Sequence, residues 1–362
     1  MILPLTDRNK YEIVMKEKML MRLERDRLLG KCQALEEQVR NMEEQSKKQE
    51  ADEPAPAAPR SKKGRDTRLP ETAGVNPFLN VEFDATPAES MSLLKTFKGH
   101  VNSVSALAFH PKKPVLATVS DDETWKLWSI PSGELIMSGE GHQSWLSGVD
   151  FHPHGTHLAT SSGDNTVKLW DFSSTRCAAT FTDHTQVVWG TAFHHDGDFL
   201  VSCSMDHTAK LWDVNSERCR QTFRGHVDSV NAVCFQPYSN NICTASGDKT
   251  VSLWDIRSGL CIQTFYGHSN ACNHATFNLR GDTIASCDAD GVVKLWDVRM
   301  VAERAQFMGG EYPINKVAFD RSGLRIAAAT DDGSIKIFAT DTPPAVRRGV
   351  LIRGGVKGVY VM

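Results

Sequence analysis

Histidines, aspartates, hydroxyl residues and tryptophans recur along this 362-residue chain at spacings that could do chemistry. His100, His142, His184, His226 and His268 stand 42 residues apart, and Asp122, Asp164, Asp206, Asp248 and Asp290 keep the same step. An imidazole with a carboxylate is the material of a catalytic dyad or a metal site. The set, however, returns five times and always in company, with a hydroxyl at Thr118, Thr160, Ser202, Thr244 and Ser286 and an indole at Trp128, Trp170, Trp212, Trp254 and Trp296. The four groups can be chained with no partner left over: indole N–H to hydroxyl, hydroxyl to imidazole, imidazole to carboxylate. A complete buried network of this kind rigidifies its surroundings, and losing one member costs roughly 1–3 kcal/mol. These twenty residues are therefore expected to be structural tetrads, and no catalytic residue, metal ligand or cofactor is expected.

The elements that must position them are short strands. Thr166-Val167-Lys168-Leu169-Trp170 alternates buried and exposed positions after the turn composition Ser162-Gly163-Asp164-Asn165, which reads as a hairpin. A sixth repeat keeps only its aspartate among Gly310, Ala328, Asp332 and Phe338, but retains the apolar pattern of Val317, Ala318, Phe319, Ile335 and Ile337. A period of about 40 to 45 with histidine early and Trp-Asp late resembles the WD40 repeat. The expected fold is all-β, a WD40 β-propeller of six clear repeats over 88–362. A seven-bladed ring is expected, its incomplete last blade combining Ala88 to Phe97 with Gly349 to Val361, where Val350-Leu351-Ile352 and Val359-Tyr360-Val361 each supply a short strand. An open six-repeat fragment is the alternative. His110, His152 and His194 also recur at the period, while His154, His157 and His195 lack Cys or Glu partners at metal-ligand spacing, so zinc is not expected. Trp125 replaces Val167, Val251 and Val293 in its hairpin and is expected in the core.

Before the propeller the chain changes character. Val14, Met21, Leu28, Leu35 and Met42 form a seven-residue apolar series, with Tyr11, Lys18, Arg25, Cys32 and Val39 at the companion position, so residues 8–50 are expected to form a coiled-coil helix. Charges at Lys18 and Arg25 favour a chosen register or partner helix, and a lone solvated helix is the alternative. Residues 51–87, with Glu53-Pro54-Ala55-Pro56-Ala57-Ala58-Pro59 and the basic run Lys62 to Arg68, read as a disordered linker. Residues 1–70 hold 16 Lys or Arg and 13 Asp or Glu, a net of +3, which leaves −6 for the remainder of a chain at −3. That balance argues against nucleic acid. No long apolar run or signal peptide is seen, so a membrane partner is not expected. Nine cysteines without a CxxC pair point to a reducing, intracellular setting.

Binding is expected where the loops after the repeat histidines converge. Residues three and five places after them are Ser103, Trp145, Val187, Ser229, Ala271 and Ser105, Ser147, Trp189, Asn231, Asn273, and the rim adds Asp121, Gly163, Met205, Gly247, Ala289 and Asp331. Trp145 and Trp189 replace small or polar residues in adjacent repeats, as an exposed aromatic anchor would. Packing of these indoles between blades is the alternative. The candidate partner site is thus Trp145, Trp189, Ser103, Ser147, Asp121, Met205, Asn231 and Asn273.

Irregular stretches inside the repeats carry a narrower likeness. Ser144-Trp145-Leu146-Ser147-Gly148, Leu158-Ala159-Thr160-Ser161-Ser162-Gly163-Asp164, Asp213-Val214-Asn215-Ser216-Glu217-Arg218-Cys219-Arg220 and Ile284-Ala285-Ser286-Cys287-Asp288-Ala289 resemble WD40 proteins of the axonemal central apparatus. So does the helix around Lys16-Glu17-Lys18-Met19-Leu20 with Leu23-Glu24-Arg25-Asp26-Arg27. The resemblance implies a non-enzymatic scaffold of the central microtubule pair, needed to assemble that apparatus and hence for motility, with axonemal or microtubule-associated partners and residence in the cytoplasm, cytoskeleton and cilium; the heptad series adds coiled-coil self-association as an expectation. An adaptor in autophagy, microtubule severing or transcriptional corepression shares the same order of parts and is the rival.

Overall fold

Each stretch of alternating apolar residues forms a strand, and every four strands form one antiparallel sheet. The computed structural model describes residues 67–69, 74–84, 94–174 and 176–340, with the backbone of 350–353. The coiled coil expected over 8–50 lies outside the described residues. Blade one comprises Val104–Phe109, Val115–Ser120, Trp125–Ser129 and Leu135–Gly139, and the same arrangement repeats from Leu146, Val188, Val230, Cys272 and Ile314, giving six four-stranded sheets. Among the described residues there is no helix. In every blade the residue after the repeat aspartate adopts a left-handed conformation, from Glu123 (φ 66°) and Asn165 (φ 67°) to Gly291 (φ 77°) and Gly333 (φ 76°), which turns the second strand tightly into the third.

No blade has a core of its own. Each of five apolar clusters spans two neighbouring sheets: Ala117, Val119 and Leu127 of blade one meet Leu146, Phe151 and Trp170 of blade two, and the scheme continues to blade six. Stability therefore lies in nearest-neighbour interfaces, as in other repeat architectures. The expectation for Trp125 holds, and the reason is an exchange. In blades two to five a valine or alanine on the third strand pairs with a phenylalanine on the fourth, as Val167 with Phe181, Ala209 with Phe223, Val251 with Phe265 and Val293 with Phe307. Blade one instead pairs Trp125 with Gly139. The Trp125 ring lies 5.5 Å from that of Trp170, replacing the phenylalanine contact that Phe181 makes with Trp212 at 5.0 Å. A side chain at Gly139 would strike the Trp125 indole.

The ring has an open side. Successive innermost strands pack on one another from blade one to blade six, but Ile314–Phe319 and Val104–Phe109 do not pack together in the same way. Phe109 is accordingly 44% exposed, whereas its counterparts Phe151, Phe193 and Phe277 are 5%, 7% and 8% exposed. Val350–Arg353, read from sequence as part of a seventh blade, pairs antiparallel with Ser334–Ile337 as the fourth strand of blade six. Hydrogen bonding decides this, because the third strand of blade six offers a free edge beside it.

One face carries a strap. Thr67 donates to both Asp213 carboxylate oxygens, Asn76 donates to the carbonyls of Leu279 and Arg280, and Arg280 reaches the Val81 carbonyl. Phe78 packs 6.1 Å from Tyr238, and Arg321 stacks over Phe83 at 4.6 Å. Residues 67–69 and 74–84, within the segment read as a linker over 51–87, thus run along the turns of blades three to six.

Candidate functional site

Four blades close the tetrad as the residue types require. In blade two the Trp170 indole N–H donates to Thr160 Oγ1 at 2.8 Å, His142 Nε2 lies 2.8 Å from the same hydroxyl, and His142 Nδ1 lies 2.8 Å from Asp164 Oδ2. A carboxylate can only accept, so Nδ1 carries the proton and Nε2 receives that of the hydroxyl. His100 with Thr118, Asp122 and Trp128, His184 with Ser202, Asp206 and Trp212, and His226 with Thr244, Asp248 and Trp254 repeat the geometry. A threonine two places on adds a hydroxyl to each aspartate, as Thr166 does to Asp164 Oδ1 at 2.7 Å. Burial by itself would raise these carboxyls, but the hydrogen bonds outweigh it. Asp122 is held down to about 2, and Asp164, Asp206 and Asp248 lie further below the usual carboxylate range.

The fifth tetrad is wired differently from the sequence reading. His268 pairs through Nε2 with Ser286 at 2.6 Å, but its Nδ1 faces Asp288 Oδ2 at 2.8 Å and not Asp290. Asp288 stands where the other full blades have Ser120, Ser162, Ser204 and Ser246, and its longer acidic side chain reaches the imidazole. Asp290 is displaced to the surface, where Ser269 and Asn270 donate to it. Val292 occupies the threonine position in this blade, so the hydroxyl that holds the other aspartates in place is missing. In blade six Ala328 and Phe338 are buried without polar neighbours to strand, and Asp332 is held by Thr330 and by Ser334 at 2.6 Å.

A second set of ties, on the strap-bearing face, is repeated by residues whose role the sequence did not reveal. His110 Nδ1 accepts the backbone N–H groups of Lys112 and Lys113 at 3.0 Å, and its Nε2 reaches the Gly155 carbonyl of the next blade at 3.3 Å. Gln236 does the same toward Gly281 at 2.7 Å. On that face His194, His195 and Asp196 bring ligand-type atoms within 4.8 Å of one another. They are consecutive residues of one turn and fall short of the four ligands of structural zinc.

Stability should therefore fall in two stages on acidification. Burial pushes His194 down to about 4 and His274 to about 3, and lowers His100, His110 and His152 as well. The unfolded chain takes protons near pH 6.5 that these groups refuse, so stability declines as pH falls below about 6.5. Asp150, pushed up to about 7 by burial, opposes this in part. The tetrad aspartates contribute stability that is present above their unfolded value and lost as pH drops from about 4 toward 2. Urea melts at pH 7, 5 and 3 check this, and a flat profile would overturn it.

The opposite face, on which the tetrad loops open, bears the predicted partner residues. The structure brings Trp145 and Trp189 together, ring centroids 5.4 Å apart and tilted by 41°. Both are half-buried. The Trp189 N–H donates to Ser229 Oγ of the next blade at 3.0 Å, and its ring packs on the blade three–four cluster, while Trp145 covers Gly163. Ser103, Asp121 and Met205 are exposed on the rim. Ser147, Asn231 and Asn273 sit lower and are already committed: each donates to a carbonyl of the following blade, Val188 at 2.5 Å, Cys272 at 2.9 Å and Ile314 at 2.9 Å. They tie blades together beneath the face.

A radial array of such sheets, locked by internal polar tetrads and offering a free loop-built face, defines a repeat β-propeller of the protein-binding kind. The chain belongs to the family of the WD domain, G-beta repeat, whose model matches residues 91–129, 133–171, 175–213, 217–255, 259–297 and 303–338. It is 47% identical to the flagellar WD repeat-containing protein Pf20 of Chlamydomonas reinhardtii, over 36% of this chain and 28% of that protein. It is 41% identical to human sperm-associated antigen 16 protein, over 36% of this chain and 25% of that protein, and 33% identical to nuclear distribution protein PAC1 of Komagataella phaffii over 20% and 14%. The chain thus spans about a quarter of the length of the first two relatives it matches.

Proposed function

We propose that this chain is a non-enzymatic interaction scaffold of the axonemal central apparatus, supporting its assembly and stability and hence the motility of cilia and flagella. The flagellar and sperm-associated relatives support that setting. The observation that carries the binding role is the Trp145–Trp189 pair, on the face the strap leaves free. Ser103, Asp121 and Met205 extend this contact surface, with Ser147, Asn231 and Asn273 holding the blades in register below it. The heptad segment over 8–50 would self-associate or capture a partner helix, and the exposed Phe109 side of the ring would receive a further blade.

A tagged copy in a ciliated cell is expected along the axoneme, and Trp145→Ala should release it into the cytoplasm while the melting temperature stays unchanged. Diffuse signal from the unaltered protein would sink the reading. The shorter likeness to PAC1 favours an adaptor elsewhere in the cell as the second reading, and the same images separate the two.

A further inference from the structure

The loops at the two faces of the propeller differ sharply in charge. The turns joining second to third strands and the connections between blades, with residues 98–103, hold thirteen Asp or Glu against two Lys or Arg. On the strap-bearing face, the turns joining first to second strands in all blades and third to fourth strands in blades one to five hold six of each sign. Among these loops, negative charge is therefore concentrated on the face that carries the aromatic pair. Some of these carboxylates belong to the tetrads, but Asp121, Glu123, Glu140, Asp183 and Asp228 are exposed. Two of them are linked to the pair by the chain or by a bonded neighbour. Asp183 is in the connection that leads into the strand of Trp189, and Asp228 adjoins Ser229, whose hydroxyl accepts the Trp189 N–H at 3.0 Å.

We infer that this face docks a basic, arginine-bearing segment of another protein, with the guanidinium on the Trp145–Trp189 indoles and the flanking charges on the surrounding carboxylates. The inference rests on reading this face as the partner-binding one, and it adds the chemistry of the partner. A guanidinium stacks flat on an indole and is more weakly hydrated than an ammonium, so arginine suits this pair better than lysine. A field of one sign also steers an oppositely charged segment toward the face and repels an acidic one. The strap, held at Thr67, Asn76 and Arg280 on the other side, leaves the face uncovered by the described parts of this chain.

The test titrates the full chain with dye-labelled peptides of equal length, alternating Arg-Gly, Lys-Gly or Glu-Gly, and reads fluorescence anisotropy. The Arg peptide should bind several-fold more tightly than the Lys peptide and the Glu peptide not at all. Affinity should weaken as ionic strength rises from about 0.05 to 0.3 M. Trp145→Ala should weaken Arg-peptide binding by about tenfold. Asp183→Asn with Asp228→Asn should weaken it several-fold, whereas Glu134→Gln with Glu217→Gln on the far face should not change it. Trp145→Ala is preferred to a change at Trp189, whose ring also packs in the core. Equal binding of the Glu peptide, or no effect of the two asparagines, overturns the inference. If that happens while Trp145→Ala still frees the tagged protein from the axoneme, the docking face stands and only the basic partner is lost. If the Arg peptide behaves as expected but axonemal retention ignores Trp145→Ala, the cation site stands and the scaffold reading falls.

Discussion

Trp212→Ala lowers the stability of the propeller by about 3–5 kcal/mol, the range for truncating a large aromatic in a packed interior. Trp212 is almost fully buried between blades two and three, with Phe181 and His184 ring centroids 5.0 and 5.9 Å away. Truncation leaves a cavity at an interface that cannot collapse without moving a whole sheet. It also removes the donor to Ser202 Oγ at 2.8 Å, leaving a buried hydroxyl half-satisfied. Trp212→Phe should cost less, and pairing it with Ser202→Ala should cost less than the sum of the two single changes, since blade six keeps Phe338 and Ala328 buried together in that arrangement. Urea denaturation of the four variants measures this. A loss below about 1 kcal/mol for the alanine variant would show that the blade interface is not the seat of stability.

Asp288→Ala should prove far more damaging than Asp290→Ala, although Asp290 is the residue that keeps the 42-residue step. Asp288 is buried and accepts from His268, from the Val292 N–H at 2.9 Å and from the Asp290 N–H at 3.1 Å. Removing it strands three donors, one of them the imidazole that anchors Ser286 and Trp296, and a loss of about 2–4 kcal/mol is expected. Asp290→Ala removes only exposed bonds from Ser269 and Asn270, so its melting curve should overlay that of the unaltered protein. Asp164→Ala is the control, expected to resemble Asp288→Ala because Asp164 fills the same role in blade two. Equal melting temperatures for the two blade-five variants would refute the wiring.

Much of this was legible because a repeat multiplies its own signal. One His, one hydroxyl and one Trp at fixed spacing are weak pointers, but five copies, each able to satisfy every donor and acceptor, leave little else for them to do. The same reasoning failed at blade five because the periodic position and the chemically able position differ by two residues. An aspartate in place of a serine was the signal there, and it counts only once the strand geometry shows that its carboxylate reaches the ring. Trp125 and Gly139 repeat the lesson: each looks like a local irregularity until their cross-strand pairing reveals one exchange of volume. The roles of Ser147, Asn231 and Asn273 depend on how closely the next blade approaches, which no spacing along the chain encodes.

The amino-acid sequence by itself determined the strand pattern, the number of repeats and which residue types had to be fastened inside, because periodicity, alternation and hydrogen-bond capacity are properties of neighbours along the chain. Only the tertiary structure decided that Asp288 closes the fifth tetrad, that Trp145 and Trp189 meet, that residues 67–69 and 74–84 fall along one face, and that the ring is open beside Phe109. Those outcomes arise between blades. They depend on distances across interfaces where residues some 40 or more positions apart come within hydrogen-bonding or ring-contact range.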